Sequence, residues 1–227
     1  MFLDAYRQGA FPMAELPGGI LSGRPLPTAH SIHSYRPYPP SILPLTDNAL
    51  RVPHSIRRTL GRRAFTLTAD HAFESVIRAC ARPGPTRGGP WLDESLVRVY
   101  TLLHQRGHAH SIEAWSATGG TGGLSASGEH PDASDSHLLG GIYGLSLGSA
   151  FFAESMFSDI EQGGSGASSA CLIALWNHLR ACGYTLLDVQ IANEHTTRFG
   201  VREIPLDDYL ARLGSAVESP SVWRPLV

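Results

Sequence analysis

Glu154 stands inside the apolar run Phe151-Phe152-Ala153-Glu154-Ser155-Met156-Phe157. A carboxylate there must be paired, hydrogen-bonded or neutralised, because burial penalises its charged form. The same kind of break occurs in Leu186-Leu187-Asp188-Val189-Gln190. Asp188 and Gln190 are two apart, so on a strand both side chains leave the same face. A third polar group, Asn193-Glu194-His195, follows just beyond that strand. Each of these alone is accounted for by a structural hydrogen-bond network at a strand end. Three in one expected sheet point to a site, and carboxylates and amides so placed suit general acid–base work.

Other chemistries find less support. His108 and His110 are two apart near a strand start, with no further ligands at metal-binding spacing, so no metal is expected. GxSxG, HExxH and GxxxxGK[ST] are absent. Gly140-Gly141, in Leu139-Gly140-Gly141-Ile142-Tyr143-Gly144, has the wrong spacing for a dinucleotide fingerprint. All 18 basic residues are arginine, which excludes Schiff-base and P-loop lysine chemistry. Cys80, Cys171 and Cys182 form no CxxC pair, which argues against a disulfide scaffold or a structural zinc site.

Charge is unevenly spread. The net charge is −2, yet residues 1–110 carry +6 and residues 111–227 carry −8. A basic half beside an acidic half suits a polyanion on one side and a cationic group on the other. The densest basic cluster is Arg57, Arg58, Arg62 and Arg63, on or just beyond a helix that starts near Ser55. It reads equally as a phosphate-contact patch or as a solvated helix end favoured by the macrodipole.

The elements that must position these residues follow from periodicity. Phe73, Val76, Ile77 and Cys80 repeat at helical spacing after a cap at Thr68 or Asp70, and Leu96, Val99, Tyr100 and Leu103 repeat it up to Gly107. Strands are expected at about 109–115, 139–147 and 149–155, a helix at 167–182, a buried strand at 185–190, and a last helix near Asp207–Leu213 that packs Tyr209. Residues 12–53 read as loops and short strands. Residues 116–137 hold five Gly and five Ser in 22 positions, so they read as a flexible surface insertion with no core element. The fold class is α+β, a mixed sheet with helices on its faces. With 227 residues, 42% of them hydrophobic and 17% charged, the chain is globular, and no apolar run reaches the roughly 18 residues of a membrane helix. The opening residues contain Asp4 and Arg7 and are no secretory segment, so a cytoplasmic protein is expected.

Several stretches, in order, resemble the leucyl/phenylalanyl-tRNA–protein transferase family. Asp4 to Met13 (DAYRQGAFPM) is similar to its AY-x-x-G-x-FP block. Phe73 to Cys80 with Pro90-Trp91-Leu92, then Gly107 to Trp115 (GHAHSIEAW), Leu139 to Gly144, Glu154 to Ser158 (ESMFS), and Asp188-Val189-Gln190 through His195 to Gly200 continue the likeness. The resemblance implies an acetyltransferase-like (GNAT-like) catalytic domain, here 64–227, beside a smaller N-terminal domain, 1–63. It implies transfer of Leu or Phe, with Met as a further donor, from aminoacyl-tRNA to the N-terminal α-amine of proteins beginning with Arg or Lys, which marks them for N-degron degradation. It further implies that Asp188 and Gln190 relay the amine's proton and that Glu154 faces the aminoacyl group. Ile142, Phe151, Met156 and Leu187 match the family's apolar side-chain pocket, and the arginines at 57, 58, 62 and 63 would track the tRNA. An aminoacyl ester is already activated, so no cofactor is expected, and a monomer is.

The sequence departs from the family at several points. It begins almost at the AY-x-x-G-x-FP block. The tryptophan-rich WWSPDPR stretch is replaced by His33–Pro40 (HSYRPYPP), with Tyr35 and Tyr38 its only aromatics, and the family's ASK reads Ala167-Ser168-Ser169. Two other readings remain. One is a coenzyme-A N-acyltransferase of the same fold, whose phosphate loop Gln162–Ala167 (QGGSGA) approaches but misses by Ser165. The other is a non-catalytic tRNA-binding homologue.

Overall fold

The computed structural model describes residues 2–14, 24–26, 32–62, 64–82, 92–116, 123–126 and 136–226. A short helix α1 (Phe2–Arg7) leads into β1 (Phe11–Ala14), β2 (Arg24–Leu26) and β3 (Ile32–Arg36), a small antiparallel sheet with β3 in the middle. The chain continues through β4 (Ser41–Ile42), α2 (His54–Arg62), β5 (Ala64–Ala69), α3 (Phe73–Ala81), α4 (Glu94–Gln105), β6 (Ala109–Ser116), β7 (Gly123–Ala126) and β8 (Leu138–Leu147). It ends with β9 (Ala150–Ser158), α5 (Ala167–Ala181), β10 (Leu186–Gln190), α6 (Glu194–Thr197), β11 (Arg202–Glu203) and α7 (Leu206–Glu218). Among the described residues, eight strands form one mixed sheet in the order β11-β4-β10-β9-β8-β6-β5-β7. The expected α+β class is what the chain adopts, with the large sheet as its centre.

Alternation along the central strands feeds two apolar layers. On one face Phe152, Tyr143 and Leu145 pack with Tyr6 of α1, Val76 and Ile77 of α3, Leu96 and Tyr100 of α4, and Tyr209 and Leu213 of α7. On the other, Phe151, Ile142, Ile112 and Leu187 pack with Leu172, Leu175 and Leu179 of α5. Asp93 caps α4, its side chain accepting from Leu96 N at 2.9 Å and so pairing a donor that the first helical turn leaves free. The turn between β8 and β9 needs Gly148. Its φ is +58°, and a Cβ there would lie 2.5 Å from the Ala216 carbonyl oxygen at the end of α7.

Three expectations need correction. Thr68 and Asp70 do not cap α3. Its N-cap is Ala72, with no side-chain bond. Residues 64–69 are instead β5, where Phe65 and Leu67 alternate inward, and Thr68 donates to the buried Glu113 at 2.5 Å. Asp70 accepts from Ser111 N at 2.8 Å and meets His110 Nδ1 at 2.7 Å. The 116–137 insertion also contains a sheet element. Gly123–Ala126 pairs parallel with β5 from Ala64–Gly123 to Leu67–Ala126. An edge strand offers unpaired backbone groups, and a Gly/Ser-rich segment can satisfy them without any side-chain signal. Finally, α7 runs on to Glu218, well past the expected Leu213. Residues before position 63 join the large sheet and its core: β4 pairs with both β10 and β11, and Tyr6 is fully buried.

Candidate active site

β9 and β10 run parallel, paired Leu186–Ala150, Leu187–Phe151 and Asp188–Phe152, and the pairing ends there. Beyond Asp188, β10 keeps only its other neighbour, β4, which pairs Ile42 with Asp188 and Ser41 with Gln190, while β9 continues along β8 to Ser158. Glu154 sits at a bulge in β9, between Ala153, which faces Gly144, and Ser155, which faces Tyr143. A bulge re-aims its side chain. Across the opening between the two strands, Gln190 Nε2 donates to Glu154 Oε2 at 2.8 Å.

Asp188 and Gln190 do belong together, but simple strand alternation is not the reason. Gln190 has φ +62°, in the left-handed region, and the ladder is irregular between the two residues. What joins them is a side-chain-to-backbone bond: Gln190 N donates to Asp188 Oδ1 at 2.6 Å. A left-handed non-glycine costs on the order of 1 kcal/mol or more, and such strain gathers at functional sites. Asp188 Oδ2 accepts from the hydroxyl of Tyr209. Glu154 Oε1 accepts from the Tyr6 hydroxyl at 2.7 Å, and Tyr6 in turn is in short hydrogen-bond contact with the Tyr100 hydroxyl.

All three polar residues are buried. Burial raises Glu154 to about 7 against the pull of its bonds from Tyr6 and Gln190, and the charge of Asp188 lifts it further. Burial likewise raises Asp188 to about 6, opposed by the Tyr209 hydroxyl and the Gln190 N–H. Two carboxylates so tuned exchange protons near neutrality.

The apolar candidates lie elsewhere. Ile142, Phe151 and Leu187 are fully buried in the layer beneath α5, with Met156 half-buried at its margin, whereas the carboxylates bond to tyrosines of the opposite layer. They are neighbours through the sheet: Leu187 pairs with Phe151 on the rung before the strands part, and Ile142 pairs with Met156. Arg57, Arg58 and Arg62 are exposed on α2, which Leu60 anchors in the core; Arg63 lies outside the described residues. Asn193 is the N-cap of α6, in a reciprocal pair with Thr196. His195 rests against Phe199, and its Nε2 has no hydrogen-bond partner among the described residues. His110 is held by Asp70 and stacks on Trp223 at 4.3 Å. Of the His33–Pro40 stretch, Tyr38 is exposed.

The residues that the site adds are Tyr6, Tyr100 and Tyr209. Tyr100 and Tyr209 read only as members of apolar helix faces. A tyrosine among core positions must still find a partner for its hydroxyl, and that was the available signal.

Groups of this kind beside an opening between strands suit acyl transfer to an amine, which asks for a proton to be taken from nitrogen. Comparison with known proteins agrees in class. A sequence profile described as leucyl/phenylalanyl-tRNA protein transferase matches residues 42–128 and 123–214. The leucyl/phenylalanyl-tRNA–protein transferase of Salinibacter ruber is 38% identical over 226 residues, all of this chain and 83% of its own length. Those of Anaeromyxobacter sp. (40% identical, 97% of this chain and 79% of its own) and Chlorobaculum tepidum (37%, 95% and 93%) are similar along nearly the whole chain. The chain is an aminoacyltransferase. It belongs to the leucyl/phenylalanyl-tRNA–protein transferase family.

Proposed function

We propose that this chain moves leucine or phenylalanine, and also methionine, from aminoacyl-tRNA to the α-amine of proteins that begin with Arg or Lys, marking them for N-degron degradation. The observation that carries the reading is the Gln190–Glu154 bond across the opening, with Asp188 on the same backbone turn. In the reaction the neutral amine attacks the ester carbonyl, a C–N bond forms, and the C–O bond to the ribose breaks. The nitrogen gives up one proton and the 3′-oxygen of the ribose gains one. An α-amine has a pKa of about 7.7–8.0, so a fraction of it is already neutral near neutrality, and the step needs a base to take the proton that nitrogen loses as the C–N bond forms. Asp188 is that base, Gln190 orients the amine, and Glu154 receives the donor's α-ammonium.

Ile142, Phe151, Met156 and Leu187, on the α5 side of the sheet and opposite the tyrosines, line a side-chain pocket that the donor enters where β9 and β10 part, and an apolar wall rejects charged donors by desolvation. Discrimination among Leu, Phe and Met is weak, because one methylene is worth only about 1–3 kcal/mol. Arg57, Arg58, Arg62 and Arg63 contact the phosphates of the tRNA without reading bases. The chain acts as a cytoplasmic monomer, with an acetyltransferase-like catalytic domain at 64–227, whose sheet and core β4 and Tyr6 join, and a smaller N-terminal domain at 1–63. The burial of Tyr6 against Glu154 supports a role for both in one site.

The test mixes the protein with leucyl-tRNA and peptides beginning with Arg, Lys, Asp or Glu. Leucine goes to the Arg and Lys peptides, and Asp188→Ala lowers the rate by about 10²–10⁴-fold. Transfer only to Asp or Glu peptides would overturn the acceptor assignment, and no transfer at all would overturn the reaction.

A further inference from the structure

We propose that Tyr209 is a positioning residue of this site: its hydroxyl, donated to Asp188 Oδ2, holds that carboxylate in the orientation from which it receives the acceptor's proton. The proposal rests on the reading of Asp188 given above. The geometry is a chain of fixed contacts. Asp188 has two oxygens, and the fold occupies both, Oδ1 with the Gln190 N–H and Oδ2 with the Tyr209 hydroxyl. The first bond sets where the strand turns. The second comes from α7, an element outside the sheet, and fixes rotation of the carboxylate about its own axis.

Tyr209 is itself held. It is 1% exposed, and Gly9 lies against its ring. Gly9 has φ +69°, and a Cβ there would fall 2.6 Å from Tyr209 Cε1, so the segment after α1 closes over the ring only because residue 9 has no side chain. That segment is clasped in turn by Arg36 of β3, whose Nε and Nη2 donate to the Gln8 carbonyl at 3.0 and 2.7 Å. A guanidinium on one backbone oxygen therefore seats a glycine, the glycine seats a phenol ring, and the phenol seats a carboxylate.

The charged and titratable groups that face this arrangement can be named. Glu154 of β9 repels a charge on Asp188, and Arg36 opposes the rise that burial causes in Tyr209. Tyr6 of α1 and Tyr100 of α4 act through Glu154. The Tyr209 hydroxyl favours the charged form of Asp188. Its removal raises the proton affinity of Asp188 by about one pKa unit, or tenfold. A ring that only filled space would leave that affinity alone.

The experiment compares Tyr209→Phe with the native protein in leucine transfer to an Arg-initiated peptide, from about pH 5 to about pH 8.5. Titration of the peptide amine is common to both proteins, so it divides out of the ratio of their kcat/KM values. That ratio is expected to fall about tenfold from the upper end of the range to the lower. A ratio constant with pH, whatever its size, overturns the proposal. Site-specific 3-fluorotyrosine at position 209, a stronger donor of the same shape, shifts the profile in the opposite direction, and it serves if the phenylalanine variant fails to fold. A readout independent of activity is the carboxyl ¹³C titration of Asp188, assigned by its loss in Asp188→Asn. An upward shift in Tyr209→Phe supports the proposal and an unmoved titration overturns it, even if the native protein transfers nothing and the functional reading itself falls.

Discussion

Glu154→Gln should make the folded protein less sensitive to rising pH. In the unfolded chain Glu154 titrates at its ordinary value of 4.5, and in the folded protein burial raises it to about 7. Between those values the folded chain keeps a proton that the unfolded chain has released. Stability therefore falls as pH rises, by about 1.4 kcal/mol per unit. The contribution is complete below the unfolded value and gone above the folded one, which amounts to about 3 kcal/mol across the window. Asp188, raised from 3.8 to about 6, adds a decline of the same sign over a slightly lower range. Each charge raises the other's proton affinity, so the two losses are not independent. The variant's amide still accepts from Tyr6 through its oxygen, and Gln190 can rotate its own amide to accept from the new nitrogen. Urea denaturation followed by tryptophan fluorescence, at steps from about pH 5 to about pH 8, measures the effect. The native protein should lose about 2–3 kcal/mol more than the variant over that range, or about 4–12 °C in Tm for a chain of this size. Parallel curves would refute the reasoning, because they would mean that this carboxylate ionises as easily folded as unfolded.

Arg57→Ala, Arg58→Ala and Arg62→Ala should each weaken tRNA binding and lower the slope of log affinity against log salt by about one, measured by filter binding across a salt series. Gly144→Ala should destabilise the protein by about 2–4 kcal/mol in thermal melts. Its Cβ would fall 2.2 Å from the Phe152 carbonyl oxygen and 2.4 Å from Phe151 Cε1, neither of which has room to move.

Sequence periodicity located most of the elements that carry the site. The strands holding Glu154 and Asp188, and the helices with Tyr100 and Tyr209, lie where hydrophobic spacing puts them, because each has a long apolar face to bury. The elements it missed are short or nearly featureless. β5 has only Phe65 and Leu67 to mark it, and β7 is held by backbone pairing to its neighbour. Within the site, two polar residues at period two hinted that Asp188 and Gln190 cooperate, yet the left-handed turn at Gln190 could not be read from residue type. Nor could the opening between β9 and β10, which arises where β9 stops pairing after Asp188 while β4, on the other side of β10, still pairs with Gln190. The tyrosines escaped notice because an apolar face hides a hydroxyl whose partner is far away in sequence.

Tyr6 and Tyr209 stand near opposite ends of the described chain, and each holds one of the two buried carboxylates. A nascent polypeptide emerging from the ribosome therefore has Asp188 without its phenol partner until α7 has been synthesised and has docked, although the partners of Glu154 are already made. The enzyme would gain competence late in its own translation. Stalled fragments that stop short of α7 would carry the donor-facing half of the machinery without the half that steadies Asp188.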